Sequence, residues 1–304
     1  MRRSRLLIGT AALGAMTLAA VGCSSSAVRP ASPPGQAPVT GPRYYVALGD
    51  SLSQGVQPDA SGSSSPTHDG YPDRIYSVLR SHAPDWRLIK FGCSGETTHS
   101  MIHGGSCRYP AGSQLAQAER FLRAHRRHIG LVTIDIGAND PNSCLLGGAQ
   151  FSKILKCMGD SVTLTLSDLR SIMAGIRSAA GSKVPILAMS YYVPELAGWL
   201  GGRTGQEVAV LTERLVAGYN RLLNPIYRHY GARVANVFGA FHSGDFTDHV
   251  RVAPYGVLPR NVATICEWTW SCASYPRGPN EHANSVGYGV IALSFLLADP
   301  QLSR

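Results

Sequence analysis

Apolar residues in this chain fall into short, nearly unbroken runs separated by longer stretches with helical spacing. Tyr44 to Leu48 (YYVAL) is apolar throughout and closed by Gly49, which predicts a first strand. Trp86 to Phe91, Leu131 to Ile136 (LVTIDI), Val184 to Met189 and Arg233 to Phe238 predict four more. Between them, Tyr71 to Ser81 places Ile75, Val78 and Leu79 on one helical face. Gln114 to His128 does the same with Leu115, Phe121 and Leu122. Asp160 to Ala180 carries Leu164, Leu169, Ile172, Met173 and Ile176, and Gly205 to His229 carries Val208, Leu211, Leu215, Tyr219, Leu222 and Leu223. A last helix is expected over Ser285 to Leu297. Such alternation predicts an α/β fold with a central five-stranded parallel sheet, helices on both faces and right-handed crossovers. No internal repeat is present, and the loop-rich stretch from Phe241 to Asn280 is long enough to shape a site.

Ahead of the first strand the pattern changes. Arg2, Arg3 and Arg5 precede an apolar, small-residue stretch from Leu6 to Val21, which reads as a signal peptide over residues 1–22. Leu18-Ala19-Ala20-Val21-Gly22-Cys23 resembles a bacterial lipobox, in which Cys23 would be lipidated and anchor the chain to a membrane. An ordinary secretory signal is the alternative, and both place the protein outside the cytoplasm. Residues 23–43 then form a Ser/Pro-rich tether, and residues 44–304 are enough for one domain, expected to be a monomer. No later segment is long and apolar enough to span a bilayer.

Removing the three signal arginines lowers the formal charge of +9 to about +6. The basic stretch Arg120 to His128 suits a solvated helix face better than a nucleic-acid patch, and an extracytoplasmic address points the same way. Of seven cysteines, six remain beyond Cys23. They form three sequence-local pairs, Cys93/Cys107, Cys144/Cys157 and Cys266/Cys272. Local disulfides are the first choice among the possible connectivities. A metal site is the rival reading, without a CxxC or HExxH spacing to support it.

Four segments carry candidate chemistry: Gly49-Asp50-Ser51-Leu52, Cys93-Ser94-Gly95, Gly137-Ala138-Asn139-Asp140 and His282-Ala283-Asn284. The first three each follow an expected strand, so they gather at the edge where open parallel sheets bind ligands. Ser51 at a helix start sees unpaired N–H groups that favour negative charge. Gly95 lacks a Cβ, so its N–H can approach an oxyanion, and the Asn139 amide can donate to one. Singly, each has an ordinary alternative: a helix cap, a turn glycine, an Asx-turn. Together and in this order they resemble the SGNH/GDSL hydrolases, over about Tyr44 to Leu297 and including the six-cysteine pattern of secreted members. The resemblance implies a flavodoxin-like three-layer α/β/α sandwich and hydrolysis of esters or thioesters without a cofactor or metal. It also implies Ser51 as nucleophile, His282 as general base, and an oxyanion hole of the Ser51 and Gly95 N–H groups with the Asn139 side chain. Asp50 and Asp140 would organise their loops.

One departure stands out. Where that family usually has Asp two or three residues before the histidine, this chain has Asn280 and Pro279. Three readings stay open. The Pro279 carbonyl or the Asn280 side-chain oxygen orients His282 as a dyad, since Nδ1–H needs only an acceptor. Alternatively, Asp245, Asp248 or Glu267 reaches in, or the site is inactive and the domain binds glycan or lipid at the cell envelope. Tyr191, Tyr192, Trp199, Trp268 and Trp270 are candidates for an acyl pocket or a sugar platform, with buried packing as the ordinary alternative. The expected substrate is an ester, either an acyl lipid or an acetylated glycan.

Overall fold

The computed structural model describes residues 41–145 and 151–303. The expected signal peptide, Cys23 and the tether as far as residue 40 lie outside the described residues. Five parallel strands form the central sheet: β1 (Arg43–Gly49), β2 (Trp86–Lys90), β3 (Ile129–Asp135), β4 (Ile186–Met189) and β5 (Arg233–Ala235). Their order is β2-β1-β3-β4-β5, so the direction of winding reverses at β1 and the sheet has a switch point there. Tyr45, Val46, Ala47 and Leu48 are all fully buried. Both faces of β1 are therefore covered, which is why its sequence is a continuous apolar run rather than an alternating one.

Helices α2 (Tyr71–His82) and α9 (Ser285–Ala298) pack against each other. A second layer joins α4 (Gln114–Ala124), α5 (Phe151–Ala180) and α6 (Gly202–His229), with α5 against both neighbours. Together the helices cover both sides of the sheet. Short helices α1 (Ser51–Gln54), α3 (Thr98–His103) and α7 (Val237–Ala240) follow strand ends. Among the described residues no helix is long and apolar enough to cross a membrane.

Several boundaries differ from expectation for identifiable reasons. The expected fifth strand stops at Ala235, because the Asn236 side chain accepts from Gly239 N–H and caps one helical turn at Val237. The stretch taken as loop from Phe241 to Asn280 holds an antiparallel hairpin of β6 (His249–Val252) and β7 (Gly256–Pro259), then helix α8 (Arg260–Trp268). In α6 the residues that look like a core stripe are not one. Val208, Leu211, Leu215 and Leu222 are each about half exposed, while Ala209, Asn220, Leu223 and Tyr227 face inward. The basic residues Arg120, Arg123, Arg126 and Arg127 are exposed on and just after α4.

Disulfides join Cys93–Cys107, Cys144–Cys157 and Cys266–Cys272, the sequence-local pairs. Each closes a short loop, a constraint of typically ~2–4 kcal/mol on the unfolded chain. Two of them flank the sheet edge where the candidate residues gather.

Ile134, fully buried in β3 where it pairs with Leu48 of β1, reports on this core. Ile134→Ala is expected to lower stability by roughly 2–5 kcal/mol in urea unfolding, with an unchanged m-value.

Candidate active site

Strand β1 ends where its backbone runs closest to β3. Gly49 pairs with Asp135 in the parallel register, and its φ of 132° is accessible only to glycine. A Cβ there would lie 2.0 Å from the Asp135 carbonyl oxygen. The next residue, Asp50, caps α1: its Oδ1 accepts from Leu52 N–H at 2.9 Å. Its own N–H donates to the Asp135 carbonyl at 3.1 Å. Ser51 is thus the first residue of a helix that starts directly over the sheet edge, half-buried, with its N–H at the positive helix end.

The neighbouring strands supply the flanks. After β2, Cys93 N–H donates to the Gly49 carbonyl at 3.1 Å, which draws this turn against the start of α1. Gly95 follows with φ 77°, and a Cβ on it would meet nothing within 4 Å. Its glycine is therefore demanded by backbone conformation, and its surroundings are open. After β3, the Asn139 Nδ2 donates to the Glu96 carbonyl at 3.0 Å, fixing the amide beside the Gly95 turn. Asp140 accepts from Thr98 N–H and from the Thr98 hydroxyl, tying the same two loops together. Because β1 lies between β2 and β3, the three segments come from adjacent strands, each pair about 4.8 Å apart.

His282 arrives from the far end of the chain and is held from four directions. Its carbonyl accepts from Trp270 N–H at 3.0 Å, and Thr269 and Ala283 form an isolated antiparallel bridge. The Cys266–Cys272 disulfide closes the turn that carries Thr269 and Trp270. Tyr192, at the end of β4, donates to the Glu281 carbonyl at 2.9 Å. The Tyr288 hydroxyl donates to the Val56 carbonyl at 2.9 Å, joining α9 to the segment after α1. Asn284 accepts from Val286 and Gly287 N–H as the cap of α9, and this explains its place two residues after the histidine.

The acceptor for the imidazole is Asn280. Its Oδ1 lies 2.8 Å from His282 Nδ1 and 3.0 Å from His282 N. A backbone N–H can only donate, so the atom facing it is the amide oxygen. The same oxygen can only accept from Nδ1, so Nδ1 carries the proton and Nε2 is the basic nitrogen. Asn280 Nδ2 donates in turn to Ser64 Oγ at 3.0 Å. The Glu281 carboxylate is farther, 3.8 Å from Nδ1, and largely exposed. Asp245 and Asp248 face Arg260 instead, and Glu267 is exposed. Burial disfavours the imidazolium and lowers the His282 pKa below its ordinary 6.5, with the Glu281 charge opposing. Among the described residues Ser51 Oγ makes no hydrogen bond to His282; such bonds commonly tighten only in the substrate complex.

Sequence reasoning missed Gln114. This fully buried side chain accepts from Gly49 N–H at 2.7 Å and donates to the Gly49 carbonyl and to Glu96 Oε2. It pairs with the end of β1 as a further strand would. Its only sequence signal is a polar residue directly after the Ser113 helix cap. The aromatic candidates divide. Tyr191 and Tyr192 are buried, with Tyr192 stacked on Phe241, and Trp268 packs edge-on against that same ring. Trp199 lies beside Phe246, and Trp270 lies under Arg277. Among the described residues no group of three or more His, Cys, Asp or Glu side chains is gathered to hold a metal ion.

Serine at a helix start, three backbone and amide donors around it and a histidine with a fixed tautomer are the parts of a serine hydrolase. The model of the GDSL-like lipase/acylhydrolase family matches residues 47–288, and the chain belongs to that family. It is by that membership a serine ester hydrolase. A lipase from a goat rumen metagenome shares the fold at 17% identity, over 84% of this chain and 97% of its own, with a TM-score of 0.50. The acetylxylan esterase Axe2 from Geobacillus stearothermophilus is 18% identical over 85% and 94% of the two chains, with a TM-score of 0.49. The α/β hydrolase LAE5 from the metagenome of Lake Arreo, Spain, is 18% identical over 87% and 98%, also at 0.49. No curated protein matches the chain.

The Asn280–His282 geometry makes a direct prediction. In an NMR titration His282 is expected to have its midpoint below 6.5 and to show the Nδ1–H tautomer above it. Asn280→Asp is expected to raise that midpoint, because an anionic acceptor favours the imidazolium.

Proposed function

We propose that the protein is an extracytoplasmic carboxylester hydrolase, tethered to a membrane through a lipid on Cys23, which works through an acyl-enzyme on Ser51. The single observation that carries the catalytic part is the placement of Ser51, Gly95 and Asn139 at the ends of three adjacent strands, with the Asn280-bound His282 brought to the same edge. The basic Nε2 of His282 takes the Ser51 proton as Oγ attacks the ester carbonyl carbon. The carbonyl π electrons move onto oxygen, and the Ser51 N–H, the Gly95 N–H and the Asn139 amide donate to that oxyanion. Collapse expels the alkoxide, which takes the proton back from the imidazolium. Water then attacks the acyl-enzyme, again giving its proton to Nε2; the acyl–Oγ bond breaks, Oγ takes that proton back, and a carboxylic acid leaves.

A neutral amide fixes the tautomer of His282 but stabilises its charged form less than a carboxylate would. Turnover is therefore expected to be modest, with activated esters favoured. The lowered His282 pKa offsets part of this by keeping the base free at mildly acidic pH. Three disulfides suit an oxidising compartment, which agrees with the signal-like first 22 residues and the lipobox-like cysteine. The substrate class is an acyl lipid or an acetylated glycan. The exposed flank of Gly95 suits a group that approaches from the side of β2.

The test is covalent labelling with an alkyl fluorophosphonate, read by intact mass and peptide mapping. One adduct on Ser51, absent in Ser51→Ala, is expected. Asn139→Ala is expected to slow turnover of a short-chain ester by roughly 10²–10³-fold while the protein stays folded. A folded native protein that takes no label would instead be an envelope-binding domain without catalysis. An acyl-chain series separates lipid from acetyl substrates.

A further inference from the structure

Beneath Ser51 lies a pair of buried carboxyls that the hydrolysis itself does not use. Asp50 is 2% exposed and Asp135 is fully buried in β3. Their hydrogen bonds can be counted atom by atom. Asp135 Oδ1 accepts from the Tyr71 hydroxyl at 2.5 Å. Asp50 Oδ1 accepts from Leu52 N–H, and the Asp50 N–H is taken by the Asp135 carbonyl. Two oxygens remain, Asp135 Oδ2 and Asp50 Oδ2. The first lies 3.4 Å from the already committed Asp50 N–H, and the second is buried with no hydrogen-bond donor among the described residues. The bonds of the Asp50 N–H to the Asp135 carbonyl and towards Oδ2 set the two carboxyls side by side. Two carboxylate oxygens facing each other in a dry site repel, whereas one proton between them supplies the missing donor.

We propose that Asp50 and Asp135 hold one proton between them, with Asp135 Oδ2–H donating to Asp50 Oδ2, and that this shared proton positions Ser51. Asp50 then stays an anionic cap for α1, its Oδ1 free to bind Leu52 N–H, and its Oδ2 is tied to the sheet. The pair carries one negative charge rather than two beneath the place where the oxyanion forms. The Tyr71 hydroxyl donates to Asp135 Oδ1, which leaves Oδ2 as the oxygen to carry the proton. Asp135 is a positioning residue, acting through Asp50.

The groups around the pair favour retention of the proton. Glu96 from the loop after β2 and Asp140 from the loop after β3 add negative charge near Asp50. The remaining titratable neighbours are phenols: Tyr45 on β1, Tyr71 on α2, Tyr191 and Tyr192 after β4, Tyr227 on α6 and Tyr288 on α9. None of the groups acting most strongly on either carboxyl is cationic. Burial moves both in the same direction, Asp50 up to about 6 and Asp135 well above the usual carboxylate range. The pair titrates as a unit, and its last proton is held well above the usual carboxylate range.

The proposal rests on Ser51 being the nucleophile for its functional half only, and the experiment separates the two. In native protein labelled with ¹³C at the aspartate carboxyl carbons, one carboxyl is expected to keep a neutral-acid shift at neutral pH, and to be missing from Asp135→Asn. If every aspartate is ionised at neutral pH, the shared proton is refuted whatever the enzyme does. The second arm is the rate of fluorophosphonate labelling at Ser51. Asp135→Leu, which fills the space without a donor, is expected to slow labelling by about 10-fold or more. Asp135→Asn, whose amide donates to Asp50 while its oxygen accepts from Tyr71, is expected to restore the rate to within about 3-fold of native. Its rate is also expected to lose whatever pH dependence the native protein shows as the shared proton is lost. Equal rates in the Asn and Leu variants would overturn the positioning role. If native Ser51 takes no label at all, the assignment of the nucleophile fails, and the carboxyl spectrum still decides the proton.

Discussion

The site depends on how closely β1 and β3 approach at their C-terminal ends. Gly49 faces Asp135 with no space for a side chain between them, and its φ excludes other residues. That contact turns the chain upward out of the sheet, so Asp50 falls against the Asp135 carbonyl and α1 begins at Ser51. Gln114 pairs with both polar atoms of Gly49, so the last residue of the strand is hydrogen-bonded although no further strand residue is present. A methyl group on Gly49 would collide with the Asp135 carbonyl and displace the start of α1 relative to the loops that carry Gly95 and Asn139. Backbone proximity, rather than any one side chain, is the first requirement of the chemistry.

The architecture was largely legible because its signals are redundant. Five buried strands appear as five apolar runs, and the helices between them are long enough for their period to show. Where the signal is short or mixed, reading failed. The hairpin strand His249–Val252 alternates polar and apolar residues over only four positions. Helix α8 buries Asn261 and Thr264 beside its aliphatic residues, so its inner face does not look apolar. In α6 the reverse holds, and a regular row of Val and Leu faces outward.

The candidate site was legible in part. Ser51, Gly95, Asn139 and His282 could be named from motif and order, since each sits at a strand end or a helix start. Their supports could not. Whether Asn280, Glu281, Asp245 or Asp248 serves His282 depends on which oxygen comes within 3 Å, a matter of loop geometry that residue type leaves open. Asp135 carried a usable signal, being an acid inside the otherwise apolar LVTIDI run. A charge-bearing residue that is fully buried in a central strand has a specific partner or a changed protonation state, and here it has both kinds of neighbour.

The Tyr288–Val56 hydrogen bond spans 232 residues of sequence, nearly the whole described chain. The turn that bears Ser51, the Gly95 loop and the Asn139 amide can all be in place once β3 is laid down. The His282 segment comes later in the chain, and the helix that follows it is tied back to the residues after α1 through Tyr288. The candidate base is thus held across the longest sequence separation in the site, whereas the candidate donors are tied together within residues 49–140.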